Sequence, residues 1–150
     1  MLIHASSAAR GADAVLFLGP PGAGKSDLVL RLMQQGWRLV ADDQVRLQAE
    51  EGSLRAEAPA ALLGLLEVRG LGIFAGLPVA APVPTLRLVV HLEDRAAVPR
   101  LPQPATWSCA GIALPAVVLH AFDAATPAKL GLALDAVTGR ASQRAGAFAP

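Results

Sequence analysis

Residues 19–26 of the chain read Gly-Pro-Pro-Gly-Ala-Gly-Lys-Ser and fit the pattern G-x-x-x-x-G-K-[S/T] at every fixed position. The residues before them, Ala14 to Leu18, form a continuous apolar run, which is typical of a strand buried on both faces of a sheet. After them, apolar residues recur at helical spacing from Lys25 until Gly36, where a glycine suits a left-handed helix cap. The order strand, glycine loop, helix predicts a P-loop.

A P-loop binds phosphate mainly through its backbone. Glycines let the chain approach the phosphates, while successive N–H groups and the helix N-terminus attract anionic oxygens. We predict that Lys25 contacts the β- and γ-phosphates of a nucleoside triphosphate and that Ser26 is a ligand of Mg²⁺. The other interpretation is a glycine-rich turn with a chance lysine. The predicted phosphate-binding residues are Gly19, Pro20, Pro21, Gly22, Ala23, Gly24, Lys25 and Ser26.

Two adjacent carboxylates, Asp42 and Asp43, follow a second short strand predicted for Trp37 to Ala41. Acids at the carboxyl end of a strand lie on the edge where open α/β sheets bind ligands. Phosphoryl transfer requires a metal-associated acid and a group that orients or deprotonates the nucleophile, and the two aspartates could meet both needs. An exposed turn, where Asp is common, is an equally good interpretation of the pair taken alone.

Three further residues are candidates for the same chemistry. Arg69 could hold a transferring phosphoryl group through its planar guanidinium, and Glu67 could join the metal's ligands. A solvated ion pair is the commoner role for such residues. A histidine near the N-terminus, His4, could tune the proton affinity of Asp42 if it packs against that carboxylate, although such a residue is usually incidental.

The rest of the chain is less regular. We predict a peripheral hairpin at Gln44–Arg55 and a short helix at Ala58–Leu66, followed by a loop entering a strand at Glu67–Ile73. A third strand is predicted at Thr85–Leu92 and a second helix at Ala128–Ala136. These elements predict an α/β fold, a P-loop kinase domain with a mixed sheet flanked by helices. It would span residues 1–140, with a flexible tail at residues 141–150.

Composition excludes several classes of protein. The chain has 150 residues, of which 53% are hydrophobic, and its net charge is +1. The sequence contains no Lys/Arg cluster of the kind that predicts nucleic-acid binding, and it has no apolar run long enough for a membrane-spanning helix. Its start lacks the features of a secretory signal, and the single Cys109 cannot form an internal disulfide. We therefore expect a cytoplasmic protein of one domain.

Three segments together resemble one family, the C-terminal catalytic domain of HPr kinase/phosphorylase. They are the P-loop with the following Asp27, the strand that ends in two aspartates, and the stretch Leu66–Ile73. This bacterial enzyme phosphorylates a serine of the phosphocarrier protein HPr and can reverse the reaction. Since the chain holds no counterpart of the family's N-terminal domain, it resembles the short form found in some proteobacteria.

The resemblance implies a role for each candidate residue. Asp42 would be the base for the attacking serine hydroxyl, with His4 beside it. Asp43 and Glu67 would complete a metal site with Ser26. The remaining implied contacts are Arg69 with the phosphoryl group and Asp27 with the nucleotide.

The leading hypothesis is therefore an ATP- and Mg²⁺-dependent protein serine kinase acting on HPr or an HPr-like carrier, linked to regulation of the phosphotransferase system. A homo-oligomer is compatible with the resemblance. Two alternatives remain open: a small-molecule kinase, and a nucleotide-responsive binding module without catalysis.

Overall fold

A computed structural model describes all residues from Met1 to Pro150, which form a nine-stranded mixed sheet, a separate two-stranded sheet and two α-helices. The strands are β1 (Leu2–His4), β2 (Ser6–Arg10), β3 (Asp13–Leu18), β4 (Arg38–Ala41), β5 (Gln44–Glu50), β6 (Ser53–Glu57), β7 (Leu66–Val68), β8 (Gly72–Phe74), β9 (Thr85–Leu92), β10 (Ala105–Cys109) and β11 (Ile112–Leu119). The helices are α1 (Lys25–Met33) and α2 (Thr126–Val137). The predicted α/β fold with a mixed sheet is confirmed.

The large sheet is built around two parallel strands, β3 and β9. Its main order is β1-β5-β6-β9-β3-β2-β4, and β11 adds to β9 in parallel while pairing with β10 on its other side. Because β2 is antiparallel to both β3 and β4, the latter two strands run in the same direction. The carboxyl ends of β3, β4, β9 and β11 therefore all meet one edge of the sheet.

Alternate residues of the central strands enter two separate cores. In β3, Ala14 and Leu16 pack into a cluster with the β5–β6 hairpin, whereas Val15 and Phe17 pack into a cluster with the helices. All four are fully buried. A strand covered on both faces has no position for a polar side chain, which explains the unbroken apolar run in the sequence.

Most of the predicted elements are present, with small shifts at their ends. Strands β3, β4 and β9 and helices α1 and α2 lie where the pattern placed them. The predicted hairpin also forms, but it is not peripheral, because its Val45, Leu47 and Leu54 lie in the first core.

Other predictions for the fold were wrong or incomplete. The helix expected for Ala58–Leu66 is only a 3-10 turn at Ala60–Leu62, and Gly64 follows with a φ of 73°. The expected loop at Glu67–Ile73 is the β7–β8 hairpin. Strands β1, β2, β10 and β11 were not predicted. Small residues fill much of β2, and prolines precede β10, so neither carries a clear hydrophobic period.

The last ten residues form no helix or strand, although the side chain of Phe148 packs against the second core. The flexibility of this tail stays a prediction. Neither of the two helices has the length and hydrophobicity to cross a membrane.

The central position of β9 predicts a large stability cost for truncating it. Leu88→Ala should lower the free energy of unfolding by about 2–5 kcal/mol, because Leu88 is fully buried and its removal leaves a cavity. Urea denaturation measures the change. The matched control is Leu132→Ala on α2, where the side chain is 65% exposed and the expected change stays within about 0.5 kcal/mol. Similar losses for both variants would contradict the position assigned to β9.

Candidate active site

A cleft of about 490 Å³ lies where the segments after β3 and β4 meet the β7–β8 hairpin. Ten predicted residues line it: His4, Pro21, Gly22, Gly24, Lys25, Ser26, Asp27, Asp43, Glu67 and Arg69. Four predicted residues do not: Gly19, Pro20, Ala23 and Asp42. The lining also includes four that were not predicted, namely Ser6, Leu30, Val68 and Phe122. The structure thus brings together residues from widely separated parts of the chain.

The loop between β3 and α1 has the backbone geometry that its glycines allow. Gly22 and Gly24 have φ values of 85° and 97°, in the left-handed region that side chains disfavour. The N–H of Ala23 donates to the carbonyl of Pro20 at 3.1 Å, and α1 begins directly after Gly24. The first N–H groups of a helix have no partner within the helix, so this end attracts anions.

The neighbours of Gly24 also leave no room for a side chain at this position. A Cβ at this position would lie 2.7 Å from the Cβ of Ala121 and 2.8 Å from the Cζ of Phe122. The segment after β11 therefore packs directly against the P-loop.

Lys25 is folded under its own loop and is only 8% exposed. Its ammonium donates to the carbonyl of Gly19 at 2.5 Å and to that of Pro20 at 3.1 Å. Burial lowers the pKa of Lys25 below its ordinary value, and the charges of Asp43 and Asp42 partly oppose this effect. The lysine is thus positioned beneath the segment where phosphates bind in a P-loop.

Asp42 lies behind the cleft, with 8% exposure, and joins three elements. Its Oδ1 accepts hydrogen bonds from the hydroxyls of Ser26 at 2.6 Å and Ser6 at 2.8 Å. Its Oδ2 accepts the backbone N–H of Glu67 at 3.2 Å. The buried carboxylate is well satisfied, and it fixes the P-loop serine relative to β2 and the β7–β8 hairpin.

Asp43 faces the opposite way and is open to the cleft. Its φ of 72° turns the chain, and its carboxylate lies 3.5 Å from Nδ1 of His4. The side chains of Asp43 and His4 are 66% and 59% exposed. The expectation that His4 sits beside Asp42 was therefore wrong: the left-handed backbone at Asp43 brings the second carboxylate, not the first, to the histidine.

The other predicted residues have mixed positions. Glu67 and Arg69 line the cleft from β7 and the turn after it, and their roles stay predictions. Asp27 also lines the cleft, but its carboxylate is paired with Arg31 at 2.9 Å, one helical turn away. No sequence signal marks Ser6 or Phe122, because Ser6 lies on β2 and Phe122 follows β11, two strands whose places in the sheet the local pattern does not reveal.

The oxygen atoms of the site suit Mg²⁺ held together with a nucleotide. No group of three or more His, Cys, Asp or Glu side chains forms a ligand cage of its own. Mg²⁺ usually binds through one or two protein oxygens, with phosphates and water completing its shell. Ser26, whose hydroxyl is held 2.6 Å from Asp42 Oδ1, and Glu67 both line the cleft and provide hydroxyl and carboxylate donors of this type.

A P-loop on a mixed sheet, with a lysine beneath it and acids after another strand that ends at the same edge, defines a P-loop kinase domain. A sequence model described as the HPr Serine kinase C-terminal domain matches residues 11–125. The chain belongs to this family.

Individual relatives agree with this assignment. The chain is 42% identical over 85 residues to an HPr kinase/phosphorylase of Clostridium tetani and 43% identical over 86 residues to one of Lacticaseibacillus casei. Each match covers 53% of this chain but only 28% and 27% of those relatives, so the chain matches little more than a quarter of their length.

A solved structure, the Hpr(Ser) kinase/phosphatase from Coxiella burnetii, is similar with a TM-score of 0.76 and 25% identity. The superposition covers 88% of this chain and 87% of that one. The likeness thus extends over nearly the whole fold, well beyond the segment matched by the curated relatives.

The close contact at Gly24 predicts that its substitution is more damaging than that of a comparable glycine. Gly36 has a similar φ of 90°, but a Cβ there would meet no atom within 4 Å. Gly36→Ala should therefore cost only the backbone strain, roughly 1–2 kcal/mol. Gly24→Ala should lose about 1–3 kcal/mol more, because Ala121 and Phe122 must move. Urea denaturation compares the two variants, and equal losses would refute the steric role of Gly24.

Proposed function

We propose that this protein is an ATP- and Mg²⁺-dependent serine kinase that phosphorylates HPr or an HPr-like phosphocarrier. One observation carries the proposal: Asp42 joins the P-loop hydroxyl of Ser26 to the backbone of Glu67, so that the phosphate loop, Asp43 and the hairpin share one cleft. Membership in the HPr serine kinase family supports the choice of HPr over other hydroxyl substrates.

The P-loop would bind the triphosphate. The N–H groups at the start of α1 would bind its anionic oxygens. The Lys25 ammonium, which donates to two carbonyls of the loop, would exchange these hydrogen bonds for bonds to phosphate. Bound Mg²⁺ would neutralise charge on the phosphates. Ser26 would hold it, with Asp42 orienting the hydroxyl and the side chain of Glu67 available from the cleft.

We assign the general base to Asp43 in place of Asp42. A base must reach the proton of the attacking hydroxyl, and the Asp43 carboxylate is open to the cleft. Asp42 is buried and already accepts three hydrogen bonds, so it is poorly placed to receive a substrate hydroxyl. His4, 3.5 Å from Asp43, would act by orienting this carboxylate.

Arg69 would act on the transferring group. It lines the cleft beyond β7, and its guanidinium can bind two phosphoryl oxygens at once. Together, Lys25, Arg69 and the metal would stabilise the charge that spreads over the phosphoryl oxygens in the transition state.

The substrate proposal predicts transfer of phosphate from ATP to a serine of HPr. Incubation of the protein with HPr, Mg²⁺ and γ-labelled ATP should label HPr, and an HPr variant whose acceptor serine is replaced by alanine should stay unlabelled. Tight ATP binding without transfer to HPr would contradict the proposal. Transfer to small hydroxylated metabolites instead would favour a small-molecule kinase.

The two aspartates should differ in which property they control. Asp43→Asn should lower the rate of transfer by about 100- to 10,000-fold, because a general base is lost, while the Kd for MgATP changes little. Asp42→Asn should weaken MgATP binding and lower the free energy of unfolding by about 1–3 kcal/mol, because an amide NH₂ would face donors.

Transfer kinetics, MgATP titration and urea denaturation of both variants separate these effects. If Asp42→Asn abolished transfer with unchanged stability and MgATP affinity while Asp43→Asn stayed active, the base would be Asp42.

A further inference from the structure

Phe122 is an exposed aromatic side chain at the rim of the P-loop. It is 55% exposed, and no other Phe or Trp lines the cleft. Its ring contacts the phosphate loop, since a Cβ on Gly24 would lie 2.8 Å from the Phe122 Cζ. The proposed phosphoryl-transfer roles do not use this side chain.

The segment that carries Phe122 is held firmly. Arg31 of α1 donates to the carbonyls of Ala121 and Asp123, and it is itself paired with Asp27. The hydroxyl of Thr126 donates to the carbonyl of His120 at 2.6 Å. Both carbonyls flanking Phe122 in the chain are therefore bound to α1, which contains the P-loop serine.

Two further contacts fix the neighbours of Phe122. Asp123 pairs with Arg95, and this hydrogen bond lowers the pKa of the Asp123 carboxyl. The His120 ring lies edge-on to the ring of Phe122, with centroids 5.7 Å apart and an interplanar angle of 70°. The Phe122 ring is thus held in a fixed position, although it is exposed and adds no packing to the hydrophobic core.

The sheet topology places Phe122 and the acids on opposite sides of the P-loop. Asp43 follows β4, which lies two strands from β3 on one side. Phe122 follows β11, which lies two strands from β3 on the other side, beyond β9. All these strands run in the same direction, so the order along the edge is acids, P-loop, Phe122.

A triphosphate bound in the loop has a reacting end and a nucleoside end. The reacting γ-phosphate must point to the acids, so the nucleoside end leaves the loop on the side of Phe122. Every nucleobase has a flat π-face that stacks favourably on an aromatic ring. An aromatic ring fixed at this side of the loop is therefore suited to contact the base.

We propose that Phe122 is the stacking platform for the nucleotide base and sets the affinity for the nucleoside part of the substrate. The inference rests on the proposed nucleotide site and adds a residue that determines which polyphosphates bind well. Since stacking does not depend on hydrogen-bond donors or acceptors, this contact favours nucleotides over inorganic polyphosphate without selecting strongly among bases.

Titration with two probes, MgATP and Mg²⁺-tripolyphosphate, tests the inference on the full chain. Phe122→Leu keeps apolar bulk but removes the π-face. It should raise the Kd for MgATP by about 5- to 150-fold, as expected for the loss of one base–aromatic stack, and leave the Kd for tripolyphosphate within about twofold. Phe122→Trp should restore MgATP affinity.

Leu132→Ala, which removes another exposed apolar side chain, on α2, is the matched control and should alter neither Kd. An unchanged Kd for MgATP in Phe122→Leu would overturn the inference, as would equal weakening of both probes, which would mean that Phe122 only supports the loop. Failure of the wild-type chain to bind either probe would instead refute the nucleotide site, and the inference with it.

Discussion

The hydrogen bonds to the carboxylate of Asp42 hold the candidate site together. An ionised carboxylate is costly to bury unless donors surround it. Here two serine hydroxyls and one backbone N–H supply them, and no buried polar side-chain atom of the structure lacks a partner. Because the donors come from β2, α1 and β7, satisfying one charge also fixes the relative positions of three elements.

The sheet supplies the second constraint by bringing strand ends to a common edge. The P-loop follows β3, the paired acids follow β4 and the segment around Phe122 follows β11. Open α/β sheets bind ligands outside the carboxyl ends of their strands, and this molecule extends the rule to strands that lack direct contact with one another. Its antiparallel β2 separates β3 from β4 without reversing the direction of either.

The sequence predicted the elements whose conformation depends on residues close together in the chain. The apolar run of β3, the glycine loop, the helical period of α1 and the strand β9 all follow from spacing and residue type. Strand β2 was missed because its residues, Ser6–Arg10, are small or polar, although the first four are fully buried. Burial there comes from neighbours distant in sequence, which no local period can indicate.

The two aspartates point in different directions, and the backbone between them turns at Asp43. Asp42 and Asp43 are chemically identical and adjacent, so residue type cannot tell which one is buried. The left-handed φ of 72° at Asp43 turns one carboxylate inward to the serines and the other outward to His4. Asp adopts this conformation more readily than most residues do, but the sequence alone does not predict it.

The small side chains of β2 set how closely helix α1 approaches the sheet beneath the candidate site. Helix α1 packs on this strand, and the fully buried Ala8 lies in the same core as Leu28 and Val29. Ala8 contributes only a methyl group to this core, which allows the helix to lie close to the sheet, and Ser26 in its first turn donates to Asp42 at 2.6 Å. Added bulk in β2 would lift the helix and lengthen that bond, because a packed core cannot absorb extra volume. The geometry of the candidate site thus depends on the volume of side chains that lie outside the cleft.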